Sequence, residues 1–549
     1  MMETATNVNP PRKSKKKVWL IAGAAAVVVL GGLGTAYAKY DLFKSAKTIY
    51  LQAEAESMMK FSSDVSKAYG EYQDYMKPYL EKPVHSTTEV SEIALDATIP
   101  DPEAQKILDM LGKAKLVMQS NIDEQKNQQS GNLEVHLQDK KLATLEYFMN
   151  DSVMGFKLPE FYSKYAYMDL KDRDALKEKM GEELPKRFVS YSDLHEAINF
   201  NQDELKTVMT PYAVLYADSI KDSQVSIKKD VSFSEEGLKE DAREITITFN
   251  DAEGAALTKK IAEKAKADQK LFDLIYSRYH NVATLMLDSG YKVEEISKEE
   301  FKKNYEQAFD DIIKDTEDTD TKSTDQLKMV VLVNSDHQIL SRKLLVDDKE
   351  KKDQLVYSSV SYDKGTEKYY RYSLHNLSDL QSGEMSFTYR ATEEKDKTKG
   401  KFSILAKETD QPALDLATTF ETTKQDKTKT GKYDFALVMA DEYSSNPIAL
   451  TGNVTVNETK TDNGVDSDGT VKVNFSNPTP DMPKGFSFKL KSKAEFGKAL
   501  EIPAMTADNS INFATVTDQQ MMEAQQEVMQ NADKFMTENA ELVQQFMMP

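Results

Sequence analysis

The chain has 549 residues, no cysteine and a formal net charge of −20. At 40% hydrophobic and 30% charged residues, it is long and apolar enough to build more than one core. The acidic balance excludes a nucleic-acid partner, and the missing cysteines exclude thiol catalysis, cysteine–zinc sites and a lipobox lipoprotein anchor.

Residues 1–17 form a basic tail with Arg12, Lys13, Lys15, Lys16 and Lys17. Residues 18–38 follow without a charge; as a helix they span roughly 31 Å, enough for a hydrocarbon core of about 30 Å. Trp19 sits at the basic edge, where an amphipathic indole belongs, and the basic flank keeps the N-terminus cytoplasmic. Ala36-Tyr37-Ala38 also fits a cleavage signal. The apolar run, however, exceeds the roughly 7 to 15 residues of a signal-peptide core, which favours an uncleaved anchor with the bulk of the chain outside. A cysteine-free exported chain of this size fits a Gram-positive bacterial source.

Apolar positions recur at three- and four-residue steps over residues 40–77 (Ala46, Ile49, Tyr50, Ala53, Tyr69, Tyr72), predicting a long helix that Pro78 ends or kinks. Residues 131–150 predict a hairpin: Leu133, Val135 and Leu137 alternate with polar residues, Asp139-Lys140 turns, and Leu145, Tyr147 and Met149 alternate again. Helices are expected at residues 171–181 and 191–216, strands at 224–233 and 242–249, and a helical block at 251–314 broken near Gly290. Together these make residues 39–313 an α+β half.

Residues 314–326 are acidic and contain no apolar side chain, so they predict an exposed linker. Beyond it, residues 327–510 alternate with period two. Tyr370/Tyr372/Leu374, Met385/Phe387/Tyr389, Phe402/Ile404/Ala406, Tyr433/Phe435/Leu437/Met439, Val471/Val473/Phe475 and Phe486/Phe488/Leu490 each place apolar residues on one side. That pattern predicts an antiparallel meander with one dry and one wet face, and the dry face needs a cover. Residues 511–549 predict the last helix, capped by Thr517-Asp518-Gln519-Gln520 and striped with Met521, Val528, Met529, Phe535 and Met536. This helix and the helical block before the linker are the natural covers.

No catalytic motif stands out. The six histidines form no H-x-x-x-H pair, and no nucleophile elbow, phosphate loop or dinucleotide fingerprint is present. Asp466-Ser467-Asp468-Gly469 fails the calcium-loop pattern and is expected to be a hairpin loop. The expectation is a non-enzymatic protein without cofactor or metal.

Three short stretches carry a resemblance. They are Ala46-Lys47-Thr48-Ile49-Tyr50-Leu51-Gln52-Ala53-Glu54 after the anchor, Phe156-Lys157-Leu158-Pro159-Glu160-Phe161 with Tyr165-Ala166-Tyr167-Met168-Asp169, and Glu244-Ile245-Thr246-Ile247-Thr248-Phe249. With the basic tail and anchor they resemble uncharacterised single-pass membrane proteins of Bacillus-type Firmicutes, a family without an established activity. The meander plus helices is similar to LolA/LppX-type carriers, which fold a curved sheet around helices and hold lipid between them. The resemblance implies an α+β fold with one large ectodomain or two similar halves. It also implies an apolar lining drawn from Tyr372, Phe387, Tyr389, Phe402, Phe435, Phe488, Met529 and Phe535. Binding of an amphiphile, or support of envelope assembly, is the leading expectation. A protein-docking ectodomain of a membrane complex is the alternative, and an enzyme acting on envelope polymers the third.

Overall fold

A computed structural model describes residues 44–97, 112–138, 140–199, 202–317, 326–347, 352–375, 383–408, 411–441, 444–476 and 483–540, with positions 105, 110 and 478 besides. The basic tail and residues 18–38 lie outside the described residues. Among those described, no helix is long and apolar enough to cross a membrane.

The first helix, α1 (Ala46–Glu81), starts at Ser45, whose hydroxyl accepts the Thr48 N–H. It continues through Pro78 into its final turn. Six strands follow: β1 (Val84–Asp96), β2 (Ala114–Asp123), β3 (Gln128–Leu137), β4 (Lys140–Met149), β5 (Val153–Lys157) and β6 (Tyr165–Asp169). A helical passage comes next, with α2 (Arg173–Met180), α3 (Tyr191–Ile198) and α4 (Gln202–Ser219). The hairpin β7 (Val225–Glu235) and β8 (Leu238–Asn250) leads to α5 (Asp251–Ala267), α6 (Gln269–Asp288) and α7 (Lys298–Glu317).

The long meander contains β9 (Gln326–Val333), β10 (Ile339–Val346), β11 (Gln354–Lys364), β12 (Glu367–His375), β13 (Glu384–Glu394) and β14 (Lys397–Glu408). It goes on through β15 (Gln411–Gln425), β16 (Thr428–Asp441), β17 (Ser444–Lys460), β18 (Gly464–Phe475) and β19 (Gly485–Phe496). The short β20 (Ser510–Asn512) and α8 (Asp518–Glu538) complete it. Thr517 and Gln520 form the expected reciprocal cap of α8.

All 20 strands found among the described residues belong to one sheet. Neighbours from β7 to β19 follow chain order; β19 then pairs with β1, and the order resumes through β6 to β20. Every pairing is antiparallel except β6 with β20. The β19–β1 ladder, from Val84↔Phe496 to Asp96↔Gly485, joins segments some four hundred residues apart in sequence.

This corrects the expected fold. The α+β plan of a LolA/LppX-like curved sheet under covering helices, divisible into two halves, gives way to one continuous sheet. The reason is backbone pairing. β8, which precedes the helices α5–α7 and the acidic stretch, hydrogen-bonds directly to β9, which follows them (Phe249↔Leu327), while β1 seals onto β19, so no strand edge separates the first half from the second.

The helices cover only part of this sheet. Ile49, Tyr50 and Ala53 of α1, Val208, Tyr212 and Tyr216 of α4, and Leu257 and Ala265 of α5 form a buried core with β8–β10. Ile245, Ile247, Val331 and Val333 are fully enclosed there; each such side chain stabilises by roughly 1.5–3 kcal/mol. On the opposite face the distal half of the β7–β8 hairpin folds back. Phe233, Leu238 and Ala242 pack on Leu340, Val360, Tyr362 and Tyr369. The bend follows a bulge between Lys228 and Val231, where Asp230 takes a left-handed φ of 57°. Glu235 pairs with Arg371 at 3.1 Å, and Arg390 donates to the Glu236 carbonyl at 2.7 Å, pinning the hairpin tip to β12 and β13.

α1 then leaves this core and crosses the strands. Glu54 accepts from Arg342 on β10 at 2.5 Å and Lys60 meets Asp363 on β11 at 2.6 Å. Toward its other end, the Tyr79 ring stands 5.0 Å from Phe496 on β19. Glu54 to Tyr79 is a rise of about 37 Å, against an arc of about 43 Å for the nine strand spacings from β10 to β19. The helix therefore acts as a chord that delivers β1 to β19.

Candidate functional site

The pairing registers sort the alternating side chains into continuous rows. One row runs Tyr372, Phe387, Ile404, Leu416, Leu437, Leu450 and Phe475, a residue from each of seven successive strands. A second, beside it, runs Tyr370, Tyr389, Phe402, Thr418, Phe435, Gly452, Val473 and Phe486. A third holds Ala391, Gly400, Phe420, Tyr433, Val454, Val471 and Phe488. All three lie on one face, because cross-strand partners point to the same side. Val90, Leu116 and Val135 carry the apolar surface onward into β1–β3.

Six of the eight expected lining residues fall on this face: Tyr372, Phe387, Tyr389, Phe402, Phe435 and Phe488. Met529 and Phe535 do not join them. They lie on α8, which docks at the far edge of the sheet. The Phe535 ring sits 5.2 Å from Phe161, Asn531 donates to the Phe161 carbonyl at 3.0 Å, and Glu527 accepts from the Ser163 N–H at 3.0 Å. Met529 remains exposed.

The face has little helical cover. Among the described helices α1 alone crosses it, near the hairpin-tip end, where the Lys460 ammonium on β17 stands 6.0 Å from the Tyr75 ring and Asp64 helps to raise the Tyr370 hydroxyl pKa. The expected covers sit elsewhere, with α5–α7 over β8–β10 and α8 beside β4–β6. Met385 is consequently 51% exposed, Ile448 45%, Tyr372 41% and Phe387 40%. From β12 to β19 the surface extends roughly 34 Å across the strands and about 20 Å along them, beyond the roughly 300–600 Å² apolar patch of an ordinary monomer.

Glycines shape this surface, a feature that alternation alone did not reveal. A Cβ on Gly452 would stand 2.2 Å from the Phe435 ring, and one on Gly400 would stand 2.6 Å from Phe420. In both cases the aromatic on the adjacent strand lies flat over a residue without a side chain, covering backbone that a bare sheet would leave wet. An isolated glycine opposite an aromatic in a strand pattern was the available signal. Rings also meet across strands: Tyr370 and Tyr389 at 6.2 Å, Tyr389 and Phe420 at 5.9 Å, Phe387 and Phe402 at 6.1 Å. Burial among these rings raises the hydroxyl pKa of Tyr372, Tyr389 and Tyr370, with Glu393 adding to the rise for Tyr389 and Asp363 for Tyr370.

The reverse face is polar. Asn453 donates to Asp434 at 2.7 Å and Asn457 to Asp468 at 3.0 Å. The Asp468 contact corrects one expectation: Asp466 to Gly469 lie within β18, paired with β17, and the turn falls just before Gly464. Of the histidines, His136 pairs with Glu134 at 2.9 Å, and His375 closes β12 with Nε2 unpartnered. A cavity of about 380 Å³ lies between α8 and the β6–β20 edge, lined by Tyr162, Lys164, Glu523 and Glu527 among others. It is polar and remote from the apolar face.

No family model and no curated protein matches the sequence. Among solved structures, the chain is similar to the outer-membrane-expressed OmpT of Vibrio cholerae, at 7% identity and a TM-score of 0.18 over 75% of this chain and 96% of that one. It is also similar to the outer membrane protein OpdK of Pseudomonas aeruginosa, at 4% identity and a TM-score of 0.22 over 76% and 99%. The CymD monoaromatic hydrocarbon channel matches at 7% identity and a TM-score of 0.20 over 77% and 90%. Scores of this size fix neither fold nor function.

Proposed function

We propose that this protein is a non-enzymatic, extracytoplasmic binding protein, held to the membrane by residues 18–38, whose apolar sheet face takes up an amphiphile. One observation carries this reading: apolar rows continuous over β12–β19 and largely open to solvent, crossed among the described helices by α1 alone, at the hairpin-tip end. Such a surface is costly to leave in water and suits a flexible apolar ligand laid across it. Native mass spectrometry of the full chain, extracted in mild detergent from its own kind of host, tests it. A lipid of defined mass should copurify and be lost when Phe387 and Phe435 are changed to serine in a variant that still folds. A ligand-free chain that takes up no lipid when offered it would defeat the proposal.

The docking alternative has its own support. Met521, Met522, Met529 and Met536 on α8 are exposed and form the pliable surface that protein partners favour. Loss of a copurifying protein on truncation at Thr517, with lipid retained, would favour that reading.

A further inference from the structure

We infer that the amphiphile is anionic, its headgroup held at one rim of the apolar face by Lys424 and Lys429. This rests on the amphiphile reading above. In a chain of net charge −20, two hairpin tips stand out. The β13–β14 tip reads Lys395-Asp396-Lys397-Thr398-Lys399-Gly400-Lys401, and the β15–β16 tip reads Asp426-Lys427-Thr428-Lys429-Thr430-Gly431-Lys432, with Lys424 just before it. Both lie at the same end of the sheet, two strands apart.

Strand alternation divides their lysines. Lys397, Lys399, Lys401 and Lys432 point to the polar face, where Lys397 is paired with Glu421 at 2.8 Å. Lys424 and Lys429 point to the apolar face, directly opposite one another in the β15–β16 register. Like charges placed so repel, and among the described residues neither has an ion pair that would relieve it. Glu458 is the β17 residue opposite Lys429, but it forms no salt bridge with it and lies near Tyr79 of α1.

Below the two lysines the surface turns apolar at once. On the same face the next cross-strand pairs are Thr422 with Gly431 and then Phe420 with Tyr433. The Tyr433 ring folds toward the rim, with its hydroxyl 2.9 Å from where a Gly431 Cβ would be. Two ammonium groups and a phenol hydroxyl thus stand at the head of a track that continues through Phe435 and Leu437. That is the order a phosphate-bearing lipid presents: charge first, then chain. Repulsion between the lysines becomes attraction once a shared anion sits between them.

The test is a competition. The full chain in neutral detergent is incubated with equimolar phosphatidylglycerol and phosphatidylcholine of identical acyl chains, and bound adducts are read by native mass spectrometry. Wild type should prefer phosphatidylglycerol roughly fivefold. K424Q/K429Q, which keeps the basic tail at residues 12–17 intact, should bind phosphatidylglycerol only as well as it binds phosphatidylcholine, losing the preference. An equal preference in wild type and variant overturns the anionic assignment while leaving the amphiphile reading in place. No adduct of either lipid on wild type overturns the amphiphile reading itself. Glycerol 3-phosphate binding alone, and losing its adduct in K424Q/K429Q, would replace the lipid by a soluble anion.

Discussion

Two regions of one sheet meet water on different terms. From β8 to β11 both faces are closed, by α1, α4 and α5 on one side and the folded β7–β8 hairpin on the other. From β12 to β19 the apolar face is crossed by α1 at the hairpin-tip end and is otherwise left open. In β9 the run Met329-Val330-Val331-Leu332-Val333 is apolar on both sides, as a strand closed on both faces requires, whereas in β13 Met385, Phe387 and Tyr389 alternate with Ser386, Thr388 and Arg390. The difference teaches that alternation specifies which side is apolar, not what covers it. A covered strand draws stability from burial. An open one relies on its ladder, on cross-strand ring contacts and on rings folded over glycine.

That contrast can be broken at several points, and the largest effect should come from the joint between the regions. Glu54 and Arg342 form an ion pair inside the covered half, fastening the chord helix to β10. Glu54→Gln should cost about 3 kcal/mol, since it strands a buried guanidinium, whereas Glu54→Leu combined with Arg342→Met should restore most of it. Urea titration of both variants measures the difference. If the single change is silent, α1 is not fastened there.

Next come paired truncations in the two regions. Ile247→Ala in the covered half should cost about 2–4 kcal/mol, while Leu437→Ala on the open face should cost about 1 kcal/mol, because water already reaches the second site. Equal losses would mean that the open face is buried in solution. The glycine–aromatic contact predicts a comparable but local penalty. Gly452→Ala should cost about 1–3 kcal/mol by forcing the Phe435 ring away, and adding Phe435→Ala should recover part of it. A thermal melt of the three chains settles whether the two residues are coupled.

The smallest effect is a pH response at the margin of the open region. Burial holds the His375 imidazole below its ordinary value; Glu384 opposes this and Arg371 adds to it. Above about pH 6.5 the ring is neutral in both states and contributes nothing. As pH falls below that, the unfolded chain takes up the proton first, so stability declines. His375→Gln should flatten the decline between neutral and mildly acid pH, and an unchanged slope would show that His375 does not cause it.

Much of the candidate surface was legible in advance. Period two put Tyr372, Phe387, Tyr389, Phe402, Phe435 and Phe488 on apolar sides of their strands, and the pairing registers merged those sides into one. Met529 and Phe535 were equally apolar, yet α8 docks on Phe161, where a local ring contact and two hydrogen bonds from α8 side chains to loop backbone hold it. The basic rim was not legible, because the opposition of Lys424 and Lys429 exists only once β15 and β16 are in register.

By itself, the sequence determined the local elements: the alternation of the strands, the Thr517 cap of the last helix, the charge-free run of residues 18–38 and the acidic balance of the rest. These follow from side-chain period and backbone geometry within a few residues. Only the tertiary structure decided that β19 pairs with β1, that one sheet runs through both halves, and which of its faces stays largely open. Those outcomes depend on hydrogen bonds and burial between segments hundreds of residues apart, where every exposed strand edge offers the same donors and acceptors. Position in the fold, rather than composition, selects the partner.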